Sequence, residues 1–554
     1  MTKNQKLYEK VLNIGVIILI AWHMLMSQSK VFFANYTAEM LFAVFLFLLM
    51  IIYFILCRFK WTQTTGRIQL ITDKIRTPNQ IICVVFFIWY VISLLLNRNT
   101  YLKNNFWLLF DVGINCLILF NLPMILSKEK GKKLIDLLLH IVSVFGLCIV
   151  IYSLWHLFTL NFVYLESGEF IGMTRLHQFE IGVYYNSTGA YALAFVLISF
   201  YMIATQKVLV KILYAIALIP HTLALILTNS RAAFVACVFA FFCSVFLIVW
   251  NNTKEKSIIF RICAAFVSSI GAAAVIWVLR PAAFQLFESI THFTTGKAQT
   301  PIIYPERIGD NNEIVSISNL SRCLMFFSLT SFTPIKKTKK LFTALHRSGK
   351  RAVRIVLISV LLTVSSSVCD LMTAETGDRF TVFDNLSVAA YDGSTDTKTA
   401  SQIGEESVRD LNDLGTIKAR KIIWGYAVEI IKSDWKSFLF GVTPLGFDDA
   451  LLKIGVQQSK TYHAHNEVLN MGVSLGVPMM LALLFLIIST GIKCIRLGLM
   501  GKNQYFRGAY ILPVVFASFV ISTLVEAYLF ASFTIMSCLF FLFCGWINAL
   551  DSRD

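Results

Sequence analysis

Charged residues are scarce in this chain for its length. Only 15% of the 554 residues are charged, whereas 57% are hydrophobic. A soluble protein of this size carries more charge on its surface, because charged side chains are rarely buried. The composition therefore excludes a soluble enzyme and indicates a polytopic membrane protein.

The sequence patterns of soluble active sites and of metal sites are also missing. There is no glycine-rich phosphate loop after a strand, no His-Glu-x-x-His, no Ser-His-Asp order with a nucleophile elbow and no Cys-x-x-Cys. Most of the 12 cysteines lie inside apolar runs, so we expect small buried hydrophobic side chains rather than disulfides or ligands. The sequence predicts neither a metal site nor a cofactor.

The formal net charge of +17 could indicate a nucleic-acid partner, but the placement of the basic residues argues against one. Lys and Arg concentrate in alternate segments between apolar runs, including five in 57–80 and eight in 336–354. Cytoplasmic loops of membrane proteins carry such an excess. The charge therefore predicts orientation in the plasma (inner) membrane, with both termini cytoplasmic, and no nucleic-acid partner.

Apolar runs of about 16–24 residues, near the length that crosses a bilayer, recur along the chain. The predicted fold class is all-α, a polytopic transmembrane helix bundle with a long outer-face loop region. Two weaker runs, 319–335 and 355–371, leave 12 or 14 spans, and the basic tract 336–354 favours 14 because it then lies inside. The clear runs are 11–26, 40–56, 81–96, 106–126, 134–157, 190–204, 212–227, 232–250, 262–279, 471–490, 509–525 and 529–550.

The chain divides into five predicted regions that alternate between membrane helices and loops. The outer-face region is small for a separate domain, so we expect it to lie on the membrane over a cavity, with a helix at 412–433. The regions are N-terminal transmembrane helices at 1–157, transmembrane helices with outer loops at 158–279, an insert with the weak spans and the basic tract at 280–371, the outer-face loop region at 372–470, and C-terminal transmembrane helices at 471–554.

The stretch 461–476 leads from the outer region into the next apolar run. It begins polar, with the imidazoles of His463 and His465 followed by Asn466, and it ends apolar. An imidazole ordinarily gains or loses a proton near neutral pH, so it can act on a substrate at the mouth of the bilayer. The alternative is that these side chains only cap a transmembrane helix at the interface.

Arg231 lies in a very short turn between two long apolar runs, and the predicted topology places this turn outside. The planar guanidinium suits phosphate oxygens. The alternative is an arginine that marks topology or binds lipid headgroups, although topological determinants are expected inside.

Arg420 belongs to a second group of cations, with Lys418 and Lys421, and Trp424 follows one helical turn later. An aromatic ring beside such a group can stack on a sugar while the cations hold phosphate. The alternative is an ordinary solvated helix face with an interfacial tryptophan.

Arg175 and Asn186 lie in the segment 158–189, which is predicted to be an outer loop that enters a span at Ala190. Asn186 or Ser187 is a reasonable N-cap for that helix.

Four short motifs, in this order, resemble those of the bacterial O-antigen ligase/polymerase superfamily of integral membrane glycosyltransferases. The resemblance covers roughly residues 170–490. The chain has no proline before Asn186, where the family usually has one, and Met479 stands where the family prefers Gly, Thr or Tyr. The motifs are Arg175 with Tyr184-Tyr-Asn-Ser-Thr-Gly-Ala190, Leu227-Thr-Asn-Ser-Arg-Ala-Ala-Phe234, Arg420-Lys-Ile-Ile-Trp424 with Phe440-Gly-Val-Thr-Pro-Leu-Gly-Phe447, and His465-Asn466 followed by nine residues and Gly476.

The resemblance implies transfer of a glycan from an undecaprenyl diphosphate-linked donor to an acceptor hydroxyl on the outer face, without metal or nucleotide. It implies that His465 is the catalytic base and that Arg231 stabilises the leaving diphosphate. Arg420 and Arg175 are expected to bind the same diphosphate. Four further side chains are expected to contact the glycan or support the site: His463, Asn466, Trp424 and Asn186.

The expected partners are the lipid-linked oligosaccharide, membrane lipids, an acceptor glycan or lipid, and other membrane proteins of polysaccharide assembly. Ligase and polymerase differ only in the acceptor, and polymerase is slightly favoured. One rival is a transporter or flippase of lipid-linked glycans, which would use the same cations without a base. Transporters commonly have paired ionisable residues within their spans and internal repeats. The apolar runs of this chain hold few ionisable residues and no internal repeat is visible, so the sequence argues against a transporter. A membrane sensor without catalytic activity is a second rival.

Overall fold

The structure is a computed structural model of the chain. It describes residues 20–21, 23–24, 59–61, 68–70, 77–97, 101–125, 128–160, 163–164, 170–173, 178–181, 185–253, 255–295, 415–456, 463–500, 508–527, 529–530 and 534–551.

These residues are mainly helical, which confirms the predicted all-α polytopic class. Eight helices in the described ranges are long and apolar enough to cross a bilayer, and two shorter apolar helices lie near the C-terminus, as expected of a multi-pass membrane protein. The helices are α1 Pro78–Leu96, α2 Leu102–Gly113, a π-helix Ile114–Leu119, α3 Leu122–Ile125, α4 Lys128–Phe158, α5 Tyr185–Thr205, α6 Val208–Leu227, α7 Arg231–Asn252, α8 Ile258–Thr295, α9 Gly415–Lys432, α10 Trp435–Phe440, α11 Phe447–Lys453, α12 Glu467–Leu475, α13 Val477–Met500, a 3-10 helix Ala509–Ile511, α14 Leu512–Val525 and α15 Ile535–Asp551.

Short strands form two small antiparallel sheets. Strands β1 (Phe59–Trp61) and β2 (Ile68–Leu70) make a pair. The segment 158–189 was predicted to be a loop, but it holds three strands in the order β3-β4-β5. The alternation of apolar and polar residues there is too short to reveal them from sequence. These strands are β3 Val163–Tyr164, β4 Phe170–Met173 and β5 Phe179–Ile181.

Most predicted spans in the described ranges coincide with a helix, but several boundaries differ. Helix α8 continues to Thr295, well beyond the predicted span 262–279, and α15 begins at Ile535 rather than at 529. The predicted span 471–490 is divided, because α12 ends at Leu475, Gly476 follows it with φ +85°, and the long helix α13 begins at Val477. Helix α5 begins at Tyr185, so Asn186 lies in its first turn and is not the N-cap that was predicted. The runs 40–56, 319–335 and 355–371, the basic tract 336–354 and most of 11–26 lie outside the described residues.

The chain divides into two compact units. Unit 1 comprises Met1–Gly146, Leu193–Thr205 and Asn412–Asp554, and unit 2 comprises Leu147–Ala192 and Gln206–Leu411. Each unit carries one part of the chemistry described below.

In unit 1, a polar cluster joins three helices. The Asn79 amide of α1 donates to Asn548 Oδ1 of α15 (3.0 Å) and to Thr490 Oγ1 of α13 (3.3 Å). The Ser489 hydroxyl of α13 donates to Asn79 Oδ1 (2.6 Å). Lipid tails cannot hydrogen-bond to these side chains, so within an apolar bundle their polar atoms bond to each other. These bonds therefore fix how the three helices pack.

Two backbone segments of unit 1 cross in direct contact. A Cβ on Gly476 would overlap the Leu439 carbonyl, and a Cβ on Gly441 would overlap the backbone of Ser474. Both glycines also have φ between +68° and +85°, which other residues rarely adopt. The Trp89 indole N–H of α1 lies 3.1 Å from the Leu439 carbonyl oxygen and 3.0 Å from that of Leu475. The crossing therefore requires both glycines and anchors α10 and α12 to α1.

Candidate functional site

The candidate site of unit 1 is built from three segments that are distant in sequence. They are the loop before α12, the residue that follows α14, and the first half of α9. We name the three titratable side chains His463, His465 and Glu526 the His-His-Glu cluster. Their potential ligand atoms all lie within 4.8 Å of one another.

Glu526 is the centre of the cluster. Its side chain is only 3% exposed, whereas those of His463 and His465 are about one quarter exposed. Glu526 Oε1 lies 2.6 Å from His465 Nδ1 and 3.4 Å from His463 Nε2. One carboxylate oxygen therefore faces both imidazoles.

The hydrogen-bond directions fix the proton positions on both rings when they are neutral. An ionised carboxylate can only accept, so the 2.6 Å contact places the proton of His465 on Nδ1 and leaves a lone pair on Nε2. The His465 backbone N–H donates to His463 Nδ1 (3.2 Å), so the proton of His463 sits on Nε2, facing Glu526. The arrangement presents one basic nitrogen, His465 Nε2, on a ring that is partly exposed.

Contacts at the start of helix α12 fix the relative positions of the His465 imidazole and the Glu526 carboxylate. Asn466 caps the helix by accepting from the Leu469 N–H (3.0 Å), and its amide donates to the Leu524 carbonyl (2.8 Å). The buried Glu467 accepts from the Leu529 N–H (2.8 Å). Because these bonds reach the chain on both sides of Glu526, they fix where its carboxylate points. Asn466, predicted to contact glycan or to support the site, makes supporting contacts here.

The backbone at His465 is itself unusual. Its φ is +48°, a left-handed conformation that is uncommon for residues other than glycine and that costs free energy. The residue before it, Ala464, is fully buried, and its N–H lies 3.4 Å from Asn470 Oδ1. The surrounding contacts therefore maintain a strained turn that directs the imidazole toward Glu526.

Charge and burial act on the cluster in opposite directions. The pKa of His463 is lowered to about 4, mainly because burial disfavours the charged ring; Glu526 acts in the opposite direction, and the cationic Arg420 adds to the lowering. For Glu526, burial by itself raises the pKa, but the hydrogen bond from His465 and the nearby cations hold the pKa below its ordinary value. At neutral pH, His463 is therefore neutral and Glu526 ionised.

Arg420 completes the site from α9. The guanidinium Nη2 lies 3.9 Å from Glu526 Oε2, and 26% of the side chain is exposed. The buried face of α9 packs Ala427, Ile430 and Ile431 on α11 and α12, and each buried isoleucine contributes about 1.5–3 kcal/mol. This packing sets the position of Arg420 at the start of the same helix.

Trp424 follows Arg420 by one turn of α9, so the two share a face. Its side chain is partly buried, and the indole N–H is shielded from solvent without a hydrogen-bond partner within the described part of the chain. A buried indole N–H usually finds an acceptor, so this group is suited to one supplied by a ligand.

Two histidines and a carboxylate are also a common ligand set for transition metals. The proton positions argue against this use of the His-His-Glu cluster. A metal would need a lone pair on His463 Nε2, but His463 Nδ1 already accepts the His465 N–H, and a neutral imidazole has only one such lone pair. The adjacent guanidinium of Arg420 would also repel a cation. The cluster therefore fits proton transfer better than metal binding.

The remaining predicted site residues belong to unit 2. Arg231 is the first residue of α7, and it lines a cleft with Arg280 of α8. The Asn186 side chain accepts a hydrogen bond from the Ser230 hydroxyl (3.2 Å), so it supports the turn that precedes Arg231. Arg175 lies outside the described residues.

Glu526 and Arg280 were not predicted from the sequence. Glu526 follows the predicted span 509–525 and precedes the span 529–550, and a lone carboxylate between two apolar runs is costly unless it is paired. Arg280 immediately follows the span 262–279, on the side predicted to be outside. Both positions can be recognised in the sequence, but neither pattern indicates which residue lies beside the charged group in the structure.

No model of a known protein family matches the chain, and no curated protein matches it.

Proposed function

We propose that unit 1 carries the catalytic base of a membrane glycosyltransferase that uses a lipid-linked diphosphate donor. The observation that carries the proposal is the 2.6 Å contact between His465 Nδ1 and the buried carboxylate of Glu526. A carboxylate that holds one imidazole nitrogen protonated makes the other nitrogen a directed base. The resemblance of four ordered motifs to O-antigen ligases and polymerases supports the substrate class.

In the proposed reaction, an acceptor hydroxyl attacks the anomeric carbon of the donor sugar. The bond between this carbon and the phosphate oxygen breaks, and its electron pair leaves with undecaprenyl diphosphate. The hydroxyl proton passes to His465 Nε2, and Glu526 stabilises the resulting imidazolium. Arg420, which is partly exposed beside the cluster, stabilises the negative charge that develops on the diphosphate.

The proposed setting is the plasma membrane, with both termini cytoplasmic and the His-His-Glu cluster on the outer face. The donor is an undecaprenyl diphosphate-linked oligosaccharide, and the product is a surface polysaccharide such as O-antigen, capsule or exopolysaccharide. The acceptor is a second lipid-linked glycan in a polymerase or a different glycan or lipid in a ligase. Other polysaccharide-assembly membrane proteins are the expected partners.

The test is transfer by the purified protein in lipid nanodiscs. Synthetic undecaprenyl diphosphate glycan is supplied alone or with a lipid A-core acceptor, and mass spectrometry follows chain length, acceptor glycosylation and released undecaprenyl diphosphate. We expect His465→Ala to lower the transfer rate about 100-fold or more, because a general base contributes about 10²–10⁴-fold.

His156→Ala is the matched control, since His156 packs edge-on against Tyr152 in α4 and has no proposed part in transfer. This variant should transfer at close to the wild-type rate. A correctly folded His465→Ala protein with wild-type transfer would refute the base assignment.

A transporter of lipid-linked glycans is the alternative function. It would need the cations of both units but no base, so His465→Ala would leave transport unchanged. Movement of a fluorescent donor lipid between leaflets, without release of undecaprenyl diphosphate, would favour the transporter.

A further inference from the structure

Helix α10 has one face packed inside unit 1 and one face that stays exposed in the described part of the chain. Its Phe440 ring stacks on Trp89 of α1, with 5.1 Å between the ring centroids. Trp435 and Phe438 are 72% and 45% exposed. Residues three apart share one side of a helix, so these two rings form one apolar patch on a helix of only six residues.

The contacts of α10 with α1 show how deep α10 lies. Helix α1 has 19 residues, which is about 28 Å of helix and close to the thickness of a bilayer core. The Trp89 indole N–H lies 3.1 Å from the Leu439 carbonyl oxygen. Trp89 precedes Leu96, the last residue of α1, by about 10 Å of helix. Helix side chains point back toward the N-terminus, so the indole reaches no closer to that end. The C-terminal part of α10 therefore lies level with the membrane-spanning part of α1.

Hydrogen bonds hold both ends of α10 in place. The Asn97 amide, which follows the last residue of α1, donates to the Gly441 carbonyl (3.0 Å). Asp434 caps α10 by accepting from the Ser437 N–H (2.7 Å) and from the Ser437 hydroxyl (3.1 Å). The apolar patch of Trp435 and Phe438 therefore has a defined direction.

The exposed side chains of α1 show what surrounds the protein at this depth. Ile88, which precedes Trp89, and Leu95 are both apolar and exposed. Apolar side chains on the outside of a helix that crosses the bilayer are surrounded by lipid tails. The patch of α10 lies at the same level, so its rings meet the same environment.

The charges around α10 mark where the bilayer core ends. Lys432 is exposed and Lys436 is partly exposed, and both lie toward the end of α10 that joins α9. A lysine can extend its charge to the headgroups while its methylene groups stay in apolar surroundings, and tryptophan is enriched at the same boundary. Trp435 lies between these lysines in sequence, whereas Phe438 is next to the deep contact at Leu439.

We propose that α10 dips into one leaflet of the bilayer, with Trp435 at the headgroup boundary and Phe438 against the acyl chains. The leaflet is the one at the C-terminal end of α1, which the sequence predicts to be the outer leaflet. The partner is bulk phospholipid, and the contact does not depend on glycan transfer. Because the crossing at Gly441 and Gly476 joins α10 to α12, this contact sets the height of the His-His-Glu cluster relative to the membrane.

Photo-crosslinking of the full-length protein in phosphatidylcholine nanodiscs tests the contact. Benzoylphenylalanine, which reacts with nearby C–H bonds, takes the place of Trp435, and intact-protein mass spectrometry measures the fraction that carries a lipid after irradiation. The same photoreactive residue at Ile88 is the reference for a position that faces lipid, and at Glu429, on the exposed face of α9, it is the reference for a position that faces water. We expect the lipid-bound fraction at 435 to be within about twofold of that at 88 and at least about fivefold above that at 429, because acyl chains fill only the bilayer core.

A lipid-bound fraction at 435 that is no higher than the fraction at 429 overturns the proposal. A cross-link from 435 to a second protein chain in place of lipid also overturns it, because the patch would then be a protein interface. Phe438 provides an independent position, and its lipid-bound fraction should equal or exceed that at 435 because it lies deeper. Thermal unfolding before irradiation shows which variants are folded, so a variant that misfolds at one position leaves the test to the other.

Discussion

The His-His-Glu cluster of unit 1 and the arginine cleft of unit 2 use opposite electrostatic arrangements. In the cluster, a buried carboxylate faces two imidazoles and a guanidinium, so its charges are compensated within the protein. In the cleft, two guanidiniums share a lining in which the described residues include no carboxylate. The first arrangement is suited to moving a proton, whereas the second brings two cations together at the ends of neighbouring helices.

The difference also extends to the backbone. The cluster depends on a crossing of two glycine segments and on a left-handed residue, so small changes in the chain displace it. The cleft depends on the ends of two packed helices and on one tight turn. Substitutions in unit 1 should therefore affect stability and rate together.

The largest expected effect is that of Gly476→Ala. The new Cβ would overlap the Leu439 carbonyl, and the alanine would have to adopt a positive φ. The free energy of unfolding should therefore fall by at least about 3 kcal/mol, and transfer should be lost. Thermal unfolding of the detergent-solubilised protein measures this. Gly425→Ala is the control, because its Cβ has open space within a helix, where alanine stabilises by up to about 1 kcal/mol. Equal melting temperatures for the two variants would show that the crossing is not needed.

Glu526→Gln should have the next largest effect. The glutamine keeps the shape of the side chain but removes the charge that orients and stabilises the protonated imidazole, so kcat should fall roughly 10- to 100-fold.

Glu429→Gln, on the exposed face of α9, is the matched control for loss of a carboxylate. An equal fall in kcat for Glu429→Gln and Glu526→Gln would refute the role of Glu526 in proton transfer. Kinetics over a range of donor concentrations separates kcat from KM.

The smallest expected effect is the acid dependence of stability. The pKa of His463 is about 4 in the folded protein and near 6.5 when it is exposed, so the unfolded chain binds the extra proton first. Stability should be constant above about pH 6.5 and fall as the pH drops toward 4. Glu526 adds to the fall, because its lowered pKa stabilises the folded state only while the carboxylate is ionised.

Thermal melts between pH 4 and 8 test this, and His463→Gln should flatten the upper part of the curve. A melt that is independent of pH in the wild type would contradict the burial of His463.

Local patterns in the sequence predicted much of the fold. Apolar runs are long enough to require helices in a bilayer, and α9 was expected at 412–433 and is found at Gly415–Lys432. Asn466 followed by an apolar run likewise begins a helix, because its side chain satisfies an N–H that the helix leaves free. The sequence also singled out His463, His465 and Arg231, which lie beside long apolar runs, and Arg420, which belongs to a group of cations ahead of Trp424.

Only the tertiary structure placed Glu526 against His465, 61 residues away in the chain. It also crossed the segments of Gly441 and Gly476, and it set Arg280 beside Asn229. No local periodicity encodes such contacts, because they depend on how separate helices pack. By itself the sequence therefore determined which segments are helices in a membrane and which polar groups needed explanation. Packing decided which of these groups meet. It placed the Glu526 carboxylate against the His465 imidazole in one unit, and Arg231 near Arg280 in the other.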